Sequence, residues 1–249
     1  MENEFVFTSA LIPAYLLIAL VAYVLGSISF AVIFSRAIAR RDVRNYGSGN
    51  AGATNVFRSV GIVPGILTFI FDLAKGAAAI LCSRWIYQLL VREKGLPDSP
   101  AALGIATCVA AIFAVLGHLY PLYFGFKGGK GVLTVGGIIL MIAPVRFLFL
   151  LLIFLIVFAI SKRVSAGSCA VAVAYPIITL IHCWFFEHRA DPAAYPVVYV
   201  AIMTAMSVLL GAVVLIKHKD NIRRLIAGTE PRMVFKSDKG ASEQEKKYD

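Results

Sequence analysis

The chain has 249 residues, 59% of them hydrophobic and only 15% charged, with a mean hydropathy of +0.82. Soluble domains carry about a quarter charged residues, so this sequence has too little polar surface to cover a compact core in water, and its composition excludes a soluble fold. The formal net charge of +10 gathers at the borders of the apolar runs, which points to membrane topology and anionic headgroups and away from nucleic acid.

A hydrocarbon core of about 30 Å needs roughly 20 mainly apolar residues per helical crossing. In chain order that criterion predicts seven spans, near 8–35, 62–90, 101–122, 132–145, 146–161, 166–186 and 194–216. The first residues are acidic, and the first run is longer than the apolar part of a secretory signal, so the first span is expected to remain in the protein. The fourth span is short and meets the fifth at "APVR", where Pro144 breaks the helix. Merging those two would leave six crossings and put both chain ends on one side.

The basic residues favour seven. Eighteen Lys and Arg then fall on one face, in the 36–60 and 123–131 loops, at Lys162 and Arg163, and after the last span. The other face holds only Arg84, Arg92, Lys94, Arg146 and Arg189, and Lys75 lies within a span. The positive-inside rule places the C-terminus in the cytoplasm and the N-terminus, with Glu2 and Glu4, outside. The expected fold is therefore all-α, a polytopic bundle of seven transmembrane helices, with residues 1–236 as a single domain and 237–249 as a polar, disordered cytoplasmic tail. Cys82, Cys108, Cys169 and Cys183 are scattered singly through the spans and read as small buried apolar residues. No His, Cys and carboxylate set has metal-ligand spacing, so neither a metal nor a cofactor is expected.

Three polar stretches fall on the basic face. In "NYGSGNAGATNVFR", Gly47, Gly49 and Gly52 can take backbone angles that let several N–H groups converge on one anion. Ser48, Asn50, Thr54 and Asn55 add short hydrogen-bonding side chains, and Arg58 suits a phosphate. The same cluster also suits an ordinary turn. "FGFKGGKGVLT" sets Lys127 and Lys130 among Gly128, Gly129 and Gly131, just before a helix N-terminus that favours anions. It lacks the Walker A spacing, so no nucleotide is implied, and its lysines also fit as topological anchors. In "KHKDNIRRLIAGTE", His218 and Asn221 are three apart and share a helix face, followed by Arg223, Arg224, Gly228, Thr229 and Glu230. That stretch also reads as an amphipathic interfacial helix with Leu225 and Ile226 toward lipid. Asp72 and Lys75, three apart inside the second span, are expected to pair, and His118 near a span end suits a structural hydrogen bond. His182 and Glu187 in "HCWFFE" faintly resemble the His and Asp pair of another acyltransferase superfamily, with the wrong acid and on the outer face.

Taken in order, "GSISF", "YGSGNAGATNVFR", "FDLAKG", "LGHLYPLYFGFKGGKGV" and "HKDNIRRLIAGTE" resemble the bacterial acyl-phosphate-dependent glycerol-3-phosphate acyltransferases, the PlsY family, across nearly the whole chain. The resemblance implies seven membrane helices in the bacterial plasma (inner) membrane and an active site facing the cytoplasm. It implies transfer of a fatty acyl group from acyl phosphate to the 1-hydroxyl of sn-glycerol 3-phosphate, giving lysophosphatidic acid and phosphate in phospholipid biosynthesis. Acyl-CoA and acyl-carrier protein are then not direct donors. On this reading Ser48, Arg58, Lys127 and Lys130 bind glycerol phosphate, and Asn50, Thr54 and Asn55 surround the acyl phosphate. Gly128, Gly129 and Glu230 complete the binding set, while His218 and Asn221, with Ser48 and Lys127, carry the catalysis. The competing reading is a small transporter or channel for an organic phosphate. That would spread polar groups along a path and show two halves, whereas these clusters share one face.

Overall fold

The computed structural model describes residues 11–95 and 99–233, and every regular element among them is helical. Glu2, Glu4 and the expected tail 237–249 lie outside the described residues. Ten α-helices follow one another: α1 Ile12–Gly26, α2 Phe30–Ala39, α3 Ala53–Ser59, α4 Ile62–Lys94, α5 Pro100–Leu119, α6 Val132–Ile142, α7 Pro144–Ser161, α8 Val164–His182, α9 Val197–Lys217 and α10 Lys219–Ile226. Six segments are long and apolar enough to cross a membrane; α1 and α2 together make the first, and α8 continues into a π-helical turn over Cys183–His188. The all-α, multi-pass architecture expected from composition is therefore present.

Two details differ from the hydropathy reading. The first span is broken at Ser27–Ser29, directly after Gly26, which packs so tightly against α5 that a Cβ there would lie 2.1 Å from the Ala114 carbonyl oxygen. Small residues let two backbones approach this closely, the usual currency of helix contacts in lipid. The run expected as a fourth span forms the 11-residue α6, about 16 Å long at 1.5 Å per residue, shorter than the hydrocarbon core and not among those six segments. It follows the boundary expected at Pro144: only Ala143 separates α6 from α7, and Pro144 opens the new helix. Of the four cysteines, Cys108 and Cys183 are buried as expected, whereas Cys82 and Cys169 are half-buried.

The short helix owes its place to α4. A Cβ on Gly76 would lie 2.2 Å from the Thr134 carbonyl oxygen, and one on Gly137 would lie 1.9 Å from that of Leu73, so α4 and α6 touch backbone to backbone. Lys130, just before α6, and Ser165, near the start of α8, reach one hydrogen-bonded cluster, through Asn221 and Glu230 respectively. Hence α6 leaves a polar face of the bundle and α7 returns to it. Around this pair α1 packs on α5 and α4, and α8 packs on both α7 and α9.

The crossing of α4 and α6 makes a sharp contrast between adjacent glycines. Gly137→Ala should destabilise the detergent-purified protein by about 1–3 kcal/mol, as overpacking does. Gly136→Ala, whose Cβ would meet nothing nearer than the Phe147 ring at 3.8 Å, should be neutral or stabilising by up to about 1 kcal/mol. Thermal unfolding of the two variants measures the difference, and equal melting temperatures would refute the close-contact account.

Candidate active site

The three polar stretches meet at one cavity of about 730 Å³. The first is organised by Asn55, which is 4% exposed on α3. Its Nδ2 donates to the carbonyls of Val43, Tyr46 and Asn50 at 3.0–3.1 Å, and its Oδ1 accepts from Ser48 N–H at 3.1 Å and Ser59 Oγ at 3.2 Å. A single amide thus stitches the loop into a ring, and Gly47 (φ +58°) lets the chain pass over it, since a Cβ would fall 2.3 Å from Asn55 Oδ1. Ser48, Asn50, Thr54 and Arg58 face the cavity. Arg44 fastens the loop to its neighbour, gripping Asp42 at 2.8–3.0 Å and donating to the Phe124 carbonyl at 2.6 Å. The hydrogen bonds from Arg44, joined by one from Arg36, hold Asp42 well below the usual carboxylate range against its partial burial.

The second stretch divides. Lys130 lines the cavity, and its Nζ donates to Asn221 Oδ1. Burial lowers the proton affinity of this ammonium, while nearby Glu230 opposes the shift. Gly128 and Gly129 are absent from the lining: their N–H groups donate to the Leu119 and His118 carbonyls, each at 3.2 Å, closing the loop against the end of α5. A Cβ on Gly128 would lie 1.9 Å from the His118 oxygen, and one on Gly129 would lie 2.6 Å from that of Ala51. Lys127 is exposed and outside the lining as well. The structure therefore does not bring Lys127, Gly128 and Gly129 to the cavity wall where sequence reasoning put them, because the tight backbone packing of the two glycines turns the segment outward until Lys130.

The third stretch is centred on Glu230, 4% exposed. Its Oε1 accepts from Ser165 Oγ at 2.7 Å and Asn221 Nδ2 at 2.6 Å, and its Oε2 accepts from Arg224 Nε at 2.7 Å. Burial alone would raise the Glu230 pKa; the three donated hydrogen bonds outweigh it and hold the group below its ordinary value. His218, 3% exposed, places Nδ1 2.8 Å from the Val214 carbonyl oxygen. A carbonyl only accepts, so Nδ1 carries the hydrogen and Nε2 keeps its lone pair. Burial first and the Lys130 charge second push the His218 pKa down to about 4, so the ring is neutral near pH 7.

Asp72 and His118 also border the cavity. Asp72 is paired with Lys75 at 2.9 Å, as the spacing implied, and His118 Nδ1 lies 4.0 Å away from the same carboxylate. Ser165 was invisible to sequence reasoning, since nothing local in "RVSAGS" marks it. Away from the polar mouth the wall is apolar, with Ile139, Phe147, Leu150, Phe154 and Leu210. Three cations, Arg58, Lys130 and Arg224, stand at one end and hydrocarbon at the other, a shape for an amphiphile with an anionic head. His182 and Glu187 lie at the far end of α8 and take no part.

A family described as glycerol-3-phosphate acyltransferase matches residues 16–228. A relative so named from Thermosynechococcus vestitus is 39% identical over 220 residues, covering 87% of this chain and 94% of the relative. Another from Burkholderia ambifaria is 41% identical over 218 residues, covering 88% and 90%. Crystal structures of PlsY, an integral membrane glycerol 3-phosphate acyltransferase, are similar in fold. Its glycerol 3-phosphate form superposes with a TM-score of 0.69 at 34% identity, covering 88% of this chain and 96% of that one. The lysophosphatidic acid form gives 0.66 at 32%, covering 89% and 96%.

The Glu230 cluster has a pH signature. A carboxyl held below its ordinary value of 4.5 contributes stability that is complete above that value and is lost as pH falls through the folded value. Thermal stability should therefore decline as pH drops below about 4.5. Glu230→Gln should be less stable at neutral pH and should lose less of its stability on acidification; parallel melting curves across that range would refute the assignment.

Proposed function

The chain belongs to the glycerol-3-phosphate acyltransferase family and is an integral membrane enzyme that acylates glycerol 3-phosphate; from that premise we propose that its acyl donor is an acyl phosphate. The observation that carries this reading is the single cavity with three cations at its mouth and an apolar interior. A phosphate on each substrate can be held at the mouth while the fatty chain stays in the hydrocarbon part.

In the proposed complex Arg58, Lys130 and Ser48 hold the glycerol phosphate, and Asn50 and Thr54 border the acyl phosphate. Asn55 acts by keeping the first loop in its ring. Gly128 and Gly129 set the path that brings Lys130 to the wall, and Lys127 adds only to the positive field outside it. Asn221 is used at both ends of its amide, by Lys130 and by Glu230, so it positions the Lys130 ammonium beside the reacting groups. Glu230 in turn orients Asn221 and Arg224.

The acceptor's 1-hydroxyl oxygen attacks the acyl carbon, the new ester C–O bond forms, and the bond from the acyl carbon to the phosphate oxygen breaks. The hydroxyl proton ends on the departing phosphate. His218 Nε2 accepts a hydrogen bond from that hydroxyl and aims its oxygen. A ring that gains a proton only near pH 4 is a poor base at neutral pH, whereas the phosphate gains basicity as its bond to the acyl carbon breaks and it leaves as inorganic phosphate. The donor phosphate is the better proton acceptor.

The same arrangement supports seven crossings with the mouth toward the cytoplasm of the bacterial plasma membrane. The α6–α7 hairpin starts and finishes at the mouth, and eighteen basic residues would lie on that face against five on the other.

Two measurements test this. Purified protein given glycerol 3-phosphate should form lysophosphatidic acid from palmitoyl phosphate and none from palmitoyl-CoA; the reverse would overturn the donor. For His218, the ratio of wild-type to His218→Asn turnover should be flat across neutral pH. An inflection near the ordinary histidine value of 6.5, present in the wild type and absent from the variant, would make His218 the base after all.

A further inference from the structure

Resting on the acyl-phosphate reading, we propose that a buried ion-paired plug at the blind end of the cavity sets the length of acyl chain the enzyme accepts. The apolar lining lies farthest from the mouth, in sequence along each helix, at Ile139 of α6, Phe147 and Leu150 of α7, Tyr175 of α8 and Leu210 of α9. Measured along α8 from Ser165 at the mouth to Tyr175, that depth is about 15 Å.

What lies beyond is polar. Arg146, one turn before Leu150 on the same face of α7, is 2% exposed and heads the largest fully buried side chains; these two are the only buried residues of α7. Facing it at steps of four along α8 and its π-helical turn are Tyr175, Thr179, Cys183 and Glu187. Arg146 Nη1 lies 3.4 Å from Cys183 Sγ, and Nη2 lies 3.3 Å from Glu187 Oε1. His182 Nδ1 is 3.7 Å from the same carboxylate oxygen. The guanidinium is also within electrostatic reach of Tyr175. Arg146 Nε, Thr179 Oγ1, His182 Nδ1 and Glu187 Oε2 are buried without a hydrogen-bond partner, so the cluster hangs on few contacts, the Arg146–Glu187 pair foremost.

The physical argument concerns selection among lipids. A fatty chain arriving from a bilayer exchanges one apolar surrounding for another, so each added methylene gains little by entering the cavity. Discrimination by length must come from where the cavity ends. A floor of aliphatic side chains would yield by repacking. A floor backed by Arg146 and Glu187 does not, because a chain end driven past Tyr175 would part the pair and strand the buried Arg146 guanidinium, 2% exposed against 19% for the Glu187 side chain. Leu150 and Tyr175 meet the chain end. Arg146 and Glu187 act through them as positioning residues, which gives "HCWFFE" a part far from the reacting atoms.

The test is the ratio of turnover with arachidoyl phosphate to turnover with palmitoyl phosphate, each with glycerol 3-phosphate. Leu150→Ala should raise that ratio by about tenfold and Leu150→Phe should lower it by a similar factor, the scale of one or two methylenes in an apolar pocket. The paired change Arg146→Met with Glu187→Gln removes the charges without stranding one, and it should raise the ratio as well. A merely structural role would lower turnover of both donors alike and leave the ratio unmoved. An unchanged ratio in the Leu150 variants overturns the proposal, as does a shift there that the active paired variant does not reproduce. If the paired variant fails to fold, the opposed Leu150 changes still decide. Absence of turnover with any acyl phosphate in the wild type would remove the donor reading and this proposal with it, whereas turnover with an unmoved ratio removes the plug alone.

Discussion

Glu230 accepts hydrogen bonds from three side chains on two helices, Ser165 of α8 and Asn221 and Arg224 of α10. Through the amide of Asn221 the same carboxylate governs Lys130 at the mouth of α6. Its backbone carbonyl accepts from Arg163 Nε at 2.9 Å, and Met233 N–H donates to the Lys162 carbonyl at 2.8 Å, so the segment after α10 is laid back across the end of α7. Four elements are thereby indexed to one anion. Their charges would otherwise repel, since Lys130, Arg163 and Arg224 all carry positive charge in a confined space. The Arg224 side chain is 40% exposed, so its own share resembles a surface pair of about 0–1 kcal/mol. The buried hydrogen bonds from Ser165 and Asn221 matter more, because losing their acceptor would strand two buried donors.

That constraint explains how cations can be kept at the edge of a hydrocarbon bundle without being consumed by it. The bundle itself is assembled by close backbone contacts, with Gly26 against Ala114 and Gly137 against Leu73, which need no polar groups. Polar side chains are therefore free to gather at one end, where irregular backbone is tolerated because it lines a cavity. The loop around Asn55 satisfies its carbonyls internally, and this is why Ser48, Asn50 and Thr54 can present their side chains to the cavity. Position is thus supplied by Asn55, Asn221 and Glu230, and contact by their neighbours.

The part of this that the amino-acid order discloses is what depends on local pattern. Apolar run length located the long helices, Pro144 located the junction between α6 and α7, and the three polar stretches, expected on one face, contribute to one cavity wall. What it could not disclose depends on distance in the chain. Lys127 and Lys130 look equivalent in "FKGGKG", yet the packing of Gly128 and Gly129 on His118 and Ala51 turns one outward and the other inward. Asn55 reads as one more hydrogen-bonding side chain beside a phosphate until its partners are seen to be carbonyls of its own loop. Ser165, sixty-five residues before Glu230, has no local mark at all. The break at Ser27–Ser29 was hidden as well, since the apolar run continues across it.

The two ionic clusters have opposite relations to the cavity between them. At the mouth, Lys130, Arg224 and Glu230 leave positive charge in excess, with Arg58 added from the first loop, and the missing anions are those the substrates bring. At the blind end Arg146 is matched by Glu187, so that end has nothing to offer a charged ligand. α7 joins the two: it lines the cavity with Phe147, Leu150, Leu151, Phe154 and Phe158, yet only Arg146 and Leu150 on it are buried. Its hold on the bundle is one-sided, along α8, where a Cβ on Gly167 would lie 2.7 Å from the Phe154 ring, with Arg146 at one end and the Lys162–Met233 hydrogen bond at the other. The cavity is therefore bounded on this side by one largely exposed helix, which suits an enzyme whose product is a lipid.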